Sequence, residues 1–294
     1  MLRLTPSQRP HTIVLGNLKG GSGKSTLSMH IAIGLMKAGR RVATIDLDFD
    51  QRSLTRYIEN RQAFARDKEL VLDIPEHRAF EKTQSNGSPN ANEAERINFV
   101  SSSLAAVEPG NDFVIIDTPS GTNKVNLFAH ALADTVITPI NDSFIDLDVI
   151  VPLKDPKNND PRSPYTQALH QAREARKLVT SRHLDWLVVR NRVSPLETRN
   201  ERAIRDAVEA AGRQAGFRTA RGLAERVIYR EFFPKGLTAF DSIEASLLGV
   251  KPSLSHVLAR QEVRQLISMV DIERGEKTDQ WTTNPETHIQ TPAA

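Results

Sequence analysis

The chain has no cysteine. That excludes a disulfide framework, a cysteine-held iron–sulfur cluster and a thiolate zinc site. No apolar run approaches the roughly 20 residues that span a bilayer. The first residues, Met1 to Pro10, lack the apolar centre of a secretory signal, so the expected location is the cytoplasm. Net charge is only +3 over 294 residues, which by itself points to no polyanion. One absence is local. Between Asp185 and Arg230 there is neither lysine nor histidine, only ten arginines against six carboxylates, a surplus of four positive charges. A surplus concentrated in one segment says more about polyanion binding than the total does.

What is present begins with Gly16-Asn17-Leu18-Lys19-Gly20-Gly21-Ser22-Gly23-Lys24-Ser25-Thr26. Glycines let a backbone wrap tightly enough to aim several N–H groups at phosphate oxygens. In such a loop Lys24 meets the outer phosphates as a point charge and the Ser25 hydroxyl is a ligand for Mg²⁺. The flanks suit it: an apolar strand over Thr12 to Leu15 before the loop, and helical periodicity from Thr26 to Ala38 after it. Gly20 to Thr26 are therefore the expected phosphate-binding residues, and a nucleoside triphosphate the expected ligand.

Further apolar runs read as strands over 42–46, 112–117, 135–140 and 185–190, with a sixth expected near Arg226 to Tyr229. Helical patterns fall at Gln51 to Arg66, Tyr165 to His183, Glu197 to Ala215 and Leu254 to Val270. Glu81 to Glu95, poor in large apolar residues, reads as a surface loop, as does the proline-bearing stretch from Lys154 to Tyr165. Alternating strands and helices predict an α/β fold, a single-domain P-loop NTPase over residues 1–272 with a mostly parallel twisted sheet and helices on both faces. A polar, disordered tail is expected over 273–294. In such sheets ligands sit beyond the carboxyl ends of the strands. Three carboxylates fall there: Asp46 and Asp48 after one strand, Asp117 after another. Asp117 is placed to reach Mg²⁺ through water and Asp46 to do likewise. The spacing of Asp46 and Asp48 predicts that both face the metal and the attacking water.

Arg199, Arg202 and Arg205 recur at helical spacing and line one flank of a helix, with Arg190, Arg192, Arg218 and Arg221 nearby. Guanidinium forks suit phosphate oxygens, and no aromatic side chain falls between Arg199 and Arg205 to stack bases. Sequence-independent contact with double-stranded DNA through Arg199, Arg202, Arg205, Arg218 and Arg221 is the expectation; a solvated helix offset by Glu201, Asp206 and Glu209 is the competing one.

Lys19, five residues ahead of Lys24, makes the loop resemble the deviant Walker A signature of the ParA/MinD ATPases. Together with Ile45-Asp-Leu-Asp48, Asn141-Asp-Ser-Phe144, Val189-Arg-Asn-Arg192 and Arg226-Val-Ile-Tyr-Arg230, it is similar to the MipZ branch of that family. The resemblance implies that Lys19 crosses to the partner's nucleotide in an ATP-dependent homodimer, that Asp48 positions the hydrolytic water, and that Thr118-Pro119-Ser120-Gly121 senses the outer phosphate. It implies that Asn191, with Arg192 beside it, meets the adenine edge, in agreement with the lack of an Asn-Lys-x-Asp guanine motif. The implied activity is a slow, regulatory ATPase with ATP and Mg²⁺. It would inhibit assembly of the tubulin-like protein FtsZ, interact with ParB, bind DNA as a dimer without membrane contact, and gather on the nucleoid and near the poles. A ParA-type chromosome or plasmid partition ATPase is the alternative.

Overall fold

Among the described residues, seven strands, each paired in parallel with its neighbours, form one sheet: β1 (His11–Leu15), β2 (Val42–Asp46), β3 (Glu76–Ala79), β4 (Phe113–Asp117), β5 (Thr135–Asn141), β6 (Asp185–Asn191) and β7 (Arg218–Arg221). Their spatial order is β3-β2-β4-β1-β5-β6-β7. The computed structural model describes residues 9–80, 89–152, 163–180, 183–194, 198–241 and 254–270. Around the sheet lie α1 (Lys24–Lys37), α2 (Ser53–Asp67), α3 (Pro89–Val107), α4 (Lys124–Leu132), α5 (Phe144–Ile150), α6 (Pro164–Thr180), α7 (Arg199–Ala215), α8 (Ile228–Phe232) and α9 (Leu254–Val270). No helix among the described residues is long and apolar enough to cross a membrane.

The strand sequences explain the layering. Side chains alternate between faces, and a parallel sheet covered on both sides has apolar residues at every position. Val14, Ile45, Val114 and Ile116 pack beneath α3, α4, α6 and α7. Ile13, Leu15, Phe113 and Ile115 pack against α1, α2 and α9 on the other side. Neighbouring chain segments run outward from β1 in both directions, because β4 and β5 flank it. That reversal opens a crevice at the carboxyl ends, where ligands of open α/β sheets bind. Register lines up what faces it: Asp117 of β4 lies across from Leu15 of β1 and from Asp46 of β2, and Asn141 lies across from Asn191.

Three expectations change and two edge strands are new. The strand expected near Arg226 to Tyr229 is helical instead, since Ile228–Phe232 forms α8 and Ile228 and Phe232 are buried together. The strand beyond β6 is Arg218–Arg221, whose Arg-Thr-Ala-Arg sequence gives no apolar signal because an edge strand is held by its backbone ladder. β3, with sequence Glu-His-Arg-Ala, is the opposite edge and is equally unmarked. Of the loop expected over Glu81 to Glu95, residues 89–95 belong to α3, which starts on Pro89 in the position where a missing N–H costs nothing; residues 81–88 lie outside the described residues. Pro164 and Tyr165 open α6, so the loop expected over 154–165 is shorter; residues 154–162 fall outside the described residues, as does the expected tail.

Among the described residues, His30 and His130 are enclosed by this packing and His77 is half-buried on the edge strand β3. Burial pushes His30, His77 and His130 down to about 4. Neither ring nitrogen of His130 has a partner, and its ring meets Tyr165 edge-on. An unfolded imidazole titrates near 6.5, so the unfolded chain binds more protons than the fold between those values. The stability from a neutral buried imidazole is complete above about pH 6.5 and is lost as pH falls toward 4. Burial of Asp46 and Asp117 raises those carboxyls and acts in the opposite sense, so a comparison must isolate one imidazole. In urea unfolding of nucleotide-free protein, the stability of His130→Leu relative to wild type should improve by roughly 2 kcal/mol from pH 7 to pH 4.5. A difference independent of pH would contradict the burial argument.

Candidate functional site

The loop from Gly16 to Gly23 joins β1 to α1 at the crevice. Gly23 takes a left-handed conformation at φ 91°, and a Cβ there would stand 2.3 Å from Asn191 Nδ2, so both backbone and space demand glycine. Lys24 follows as the first residue of α1, with Nζ donating to Ser120 Oγ at 3.0 Å and lying 3.5 Å from the Lys19 carbonyl. Burial lowers its pKa, while Asp117 and Asp48 pull the other way. The Ser22 hydroxyl is buried with no partner, a polar group left for something outside the protein.

Ser25 Oγ donates to Asp117 Oδ2 at 2.5 Å and Ser28 Oγ to Oδ1 at 3.3 Å. Burial, then the neighbouring Asp46, pushes Asp117 above the usual carboxylate range. A cation beside Ser25 and Asp117 would relieve that charge, and an anion beside Lys24 would relieve the opposite one. The residues therefore fit ATP and Mg²⁺: hard oxygen donors for the metal, a lysine, an unpartnered hydroxyl and a glycine loop for phosphate. Among the described residues no cluster of three or more acidic or histidine side chains forms a metal cage. Mg²⁺ is characteristically held by one or two protein oxygens together with phosphates, so none is needed.

Asp46 and Asp48 do not point alike. β2 ends at Asp46, and strand alternation ends with it. Asp46 is buried and fully engaged, accepting from Asp48 N at 2.9 Å through Oδ1 and from Thr55 N and Oγ1 at 2.9 and 2.8 Å through Oδ2. It ties the loop after β2 to the start of α2. Asp48 is half-buried, with Oδ1 accepting from Gln51 N at 2.9 Å, and its charge reaches Lys24 and Asp117. Its neighbour Phe49 is clasped edge-on by Phe80, with ring centroids 5.0 Å apart, and covered by the Arg96 guanidinium at 4.5 Å. The loop bearing Asp48 is thus anchored on α3.

Residues 118–121 are stitched to the phosphate loop. Thr118 donates through N and Oγ1 to the Leu15 carbonyl, and Gly121 N donates to the Asn17 carbonyl. Asn126 Nδ2 donates to the carbonyls of Pro119 and Gly121, and Asn17 Nδ2 to that of Pro139 at 2.6 Å. No local pattern singles out the side chains of Asn17, Ser120 and Asn126 for these tasks; only proximity in the fold assigns them. Thr26 lies in the first turn of α1, its carbonyl accepting from His30 Nδ1.

Asn191 is buried and bridges two segments. Its Nδ2 donates to the Ser22 carbonyl at 2.8 Å and its Oδ1 accepts from Leu223 N at 3.1 Å. Arg192 beside it is exposed at φ 53° and lines a polar cavity of about 270 Å³ with Asp142, Ser194, Thr198, Glu201 and Glu225 among its walls.

The arginines divide. Arg190 is internal, donating to Asp142 at 2.9 Å and to Glu201 at 2.7 Å, so it is spent on joining β5, β6 and α7. Arg218 chelates Asp185 through two bonds and also donates to the Met269 carbonyl. It sits at the opposite end of β7 from Arg221, and strand positions three apart face opposite ways. Arg199, Arg202 and Arg221 are exposed and Arg205 half-buried; the charge of Arg221 is felt at Glu201 in the first turn of α7. Four of the five expected DNA-contacting arginines thus share one end of the sheet, and Arg218 does not join them.

Residues 11–274 match the family model described as ATPase MipZ. The chain belongs to the MipZ ATPase family. It is an ATPase of the ParA/MinD P-loop class. This MipZ-family chain is 29% identical over 161 residues to the septum site-determining protein MinD of Helicobacter pylori, covering 48% of the chain and 58% of that protein. It thus spans little more than half the length of that relative. It is 26% identical over 259 residues to maintenance of carboxysome distribution protein A of Halothiobacillus neapolitanus, covering 84% of the chain and 99% of that protein. Among solved structures, the Cyanothece McdA(D38A)–ATP complex superposes with a TM-score of 0.57 at 15% identity over 90% of this chain and 95% of that one. The Mg-ADP complex of MinD from Pyrococcus horikoshii gives 0.51 at 15% identity over 89% and 96%. At such identities the likeness establishes the fold.

Proposed function

We propose that the chain is an ATP-driven dimerisation switch that positions the division plane. ATP closes two protomers face to face, the dimer holds double-stranded DNA without sequence preference and restrains FtsZ assembly, and hydrolysis returns monomers that ParB recaptures near the poles. The observation that carries this reading is the division of labour between two lysines. Lys24 already supplies the cation inside the phosphate loop, while Lys19 faces away from it at the loop's outer edge. A second lysine in that position is not needed to hold phosphate within one protomer and is placed for a neighbour.

Bound ATP with Mg²⁺ supplies the phosphoanhydride and offsets charge on its oxygens. The chain's residues supply position. Gly20 to Thr26 offer backbone N–H groups and the Ser22 and Ser25 hydroxyls, Lys24 neutralises, and Asp117 holds the Ser25 side of the metal site. Asp46 contributes by fixing Asp48 through its backbone N–H rather than by facing the metal. Asp48, on an anchored loop, orients the attacking water. Asn191 holds the Ser22 carbonyl and so sets the shape of the phosphate loop, with adenine seated beside it and Arg192. Turnover is slow and regulatory, as the family resemblance implies.

In size-exclusion chromatography, Asp48→Ala should elute as a lasting dimer with ATP and as a monomer with ADP. Monomer in both sinks the switch. On DNA, Arg199, Arg202, Arg205 and Arg221 are the contact set, with Arg218 retained for its ion pair. Replacing Arg199 and Arg202 together by alanine should flatten the slope of log K against log salt by roughly 0.9 for each phosphate that the variant ceases to neutralise. An unchanged slope removes the patch. A ParA-type partition ATPase is the second reading, favoured by 26% identity over 144 residues to the chromosome partitioning protein ParA of Myxococcus xanthus. FtsZ sedimentation with ATP-loaded protein separates the two.

A further inference from the structure

His77 stands between two threonines on the way to the Asp48 loop. It is paired with Thr44 across the β2–β3 ladder. Thr44 alternates with Ala43 and Ile45 and so faces the α1 and α2 side of the sheet. His77 Nδ1 lies 2.9 Å from Thr44 Oγ1, and Nε2 lies 3.1 Å from Thr55 Oγ1 in the first turn of α2. The proton of the Thr55 hydroxyl is committed, since it goes to Asp46 Oδ2 at 2.8 Å. Toward His77 that oxygen can only accept. The imidazole proton therefore sits on Nε2, and Nδ1 is left to accept from Thr44. The Glu76 carbonyl, at 3.3 Å, is the longer alternative for the Thr44 hydroxyl. Polarity then runs one way: Thr44 Oγ1–H to Nδ1, Nε2–H to Thr55 Oγ1, and Thr55 Oγ1–H to Asp46 Oδ2. Asp46 Oδ1 in turn accepts the Asp48 N–H at 2.9 Å. Burial and the Arg52 charge keep the imidazole neutral, as this polarity requires.

We infer that His77 is a positioning residue for ATP hydrolysis, fixing Asp48 from the edge strand through Thr55 and Asp46. This rests on the reading of Asp48 as the group that orients the attacking water, and adds what holds it from outside the crevice. A threonine in a helix divides between two rotamers. The Nε2–H of His77 favours the one in which the Thr55 hydroxyl reaches Asp46. Without it that hydroxyl swings away in a share of the molecules. Asp46 then loses one of its three donors, and the Asp48 N–H loses a fixed acceptor. A net hydrogen bond shifts an equilibrium by a factor of about 2 to 13, which bounds what this contact passes to the rate. Gly20 to Thr26 and Asn191 lie on other segments, so affinity for ATP should not follow.

The test uses the full chain with ATP and Mg²⁺, with kcat and KM read from phosphate release. His77→Leu removes both nitrogens and should lower kcat about 2- to 13-fold with KM unchanged. His77→Gln carries an amide N–H at the reach of Nε2 and should restore most of the rate. His77→Asn carries the same amide one methylene short of Thr55 and should not. A role in sheet stability alone would not tell glutamine from asparagine. Thr55→Val already lacks the hydroxyl, so adding His77→Leu to it should cost nothing further. Where replacement on β3 unsettles the sheet, Thr55→Val against Thr55→Ser serves from α2, and equal rates in that pair overturn the relay. Equal rates in the three His77 variants, all parental or all reduced, or a change confined to KM, also overturn it. With Asp48→Ala still slow, those outcomes leave the reading of Asp48 standing. Asp48→Ala hydrolysing as fast as the parent overturns both.

Discussion

Arg61→Ala should lower the stability of the folded protomer by about 3–5 kcal/mol, read as a fall in the urea midpoint of nucleotide-free protein. Arg61 is wholly buried on α2 and makes a two-pronged ion pair with Asp241, at 2.8 and 2.7 Å. Its Nε and Nη1 also donate to the carbonyls of Asp73 at 2.6 Å and Gly236 at 2.9 Å, respectively. One guanidinium thus joins α2, the segment before β3 and the strap over residues 233–241. Burial drives Asp241 upward, but the Arg61 bonds outweigh it and hold the carboxyl below its ordinary range. Removing Arg61 strands that charge in an interior where water cannot replace it. The cost is therefore mostly that of the partner left behind. Arg61→Met with Asp241→Leu removes both charges at similar volume and should recover most of the loss, because a buried pair is worth little against an apolar replacement. A double variant as unstable as Arg61→Ala would mean that the carbonyl contacts, rather than the stranded carboxylate, carry the energy.

That ion pair also illustrates what the sequence could disclose. Continuous apolar runs mark the central strands because both faces of a covered parallel sheet are buried, and the glycine loop is legible because phosphate binding restricts residue type at almost every position. The edges β3 and β7 are silent: Glu-His-Arg-Ala and Arg-Thr-Ala-Arg are held by backbone pairing with one neighbour. The spacing of Asp46 and Asp48 suits a pair facing one way along a strand, yet the strand stops at Asp46 and the carboxylate turns inward to Thr55. Arginine counting has the same weakness. Arg190 and Arg218 look like their exposed neighbours in sequence, but Asp142, Glu201 and Asp185 are brought to them by other elements. Asp146 carries no local signal at all. Its contact with Lys19 is made across 127 positions.

Gly20→Val should abolish the ATP-dependent dimer while leaving the protomer folded and able to take nucleotide. The structure separates those two effects. A Cβ at Gly20 meets only Ser120 Oγ, at 3.5 Å, which is ordinary contact, and Gly20, unlike Gly21 and Gly23, is not in the left-handed region. Nothing inside the protomer therefore requires glycine at this exposed position. If two loops of this kind face each other across a two-fold axis, every added atom is met twice, once from each side. Overpacking costs roughly 1–3 kcal/mol at one site, so two opposed sites weaken the dimer on the order of 30- to 10⁴-fold. In the Asp48→Ala background the variant should sediment as a monomer with ATP at concentrations where the parent is a dimer, with a thermal midpoint in nucleotide-free buffer close to the parent's. Lys19→Ala should give the same monomer by a different route, losing the attraction instead of adding an obstacle. If Gly20→Val still dimerised with ATP, this loop would lie away from any seam between protomers, and the reason for two lysines would have to be sought elsewhere on the molecule.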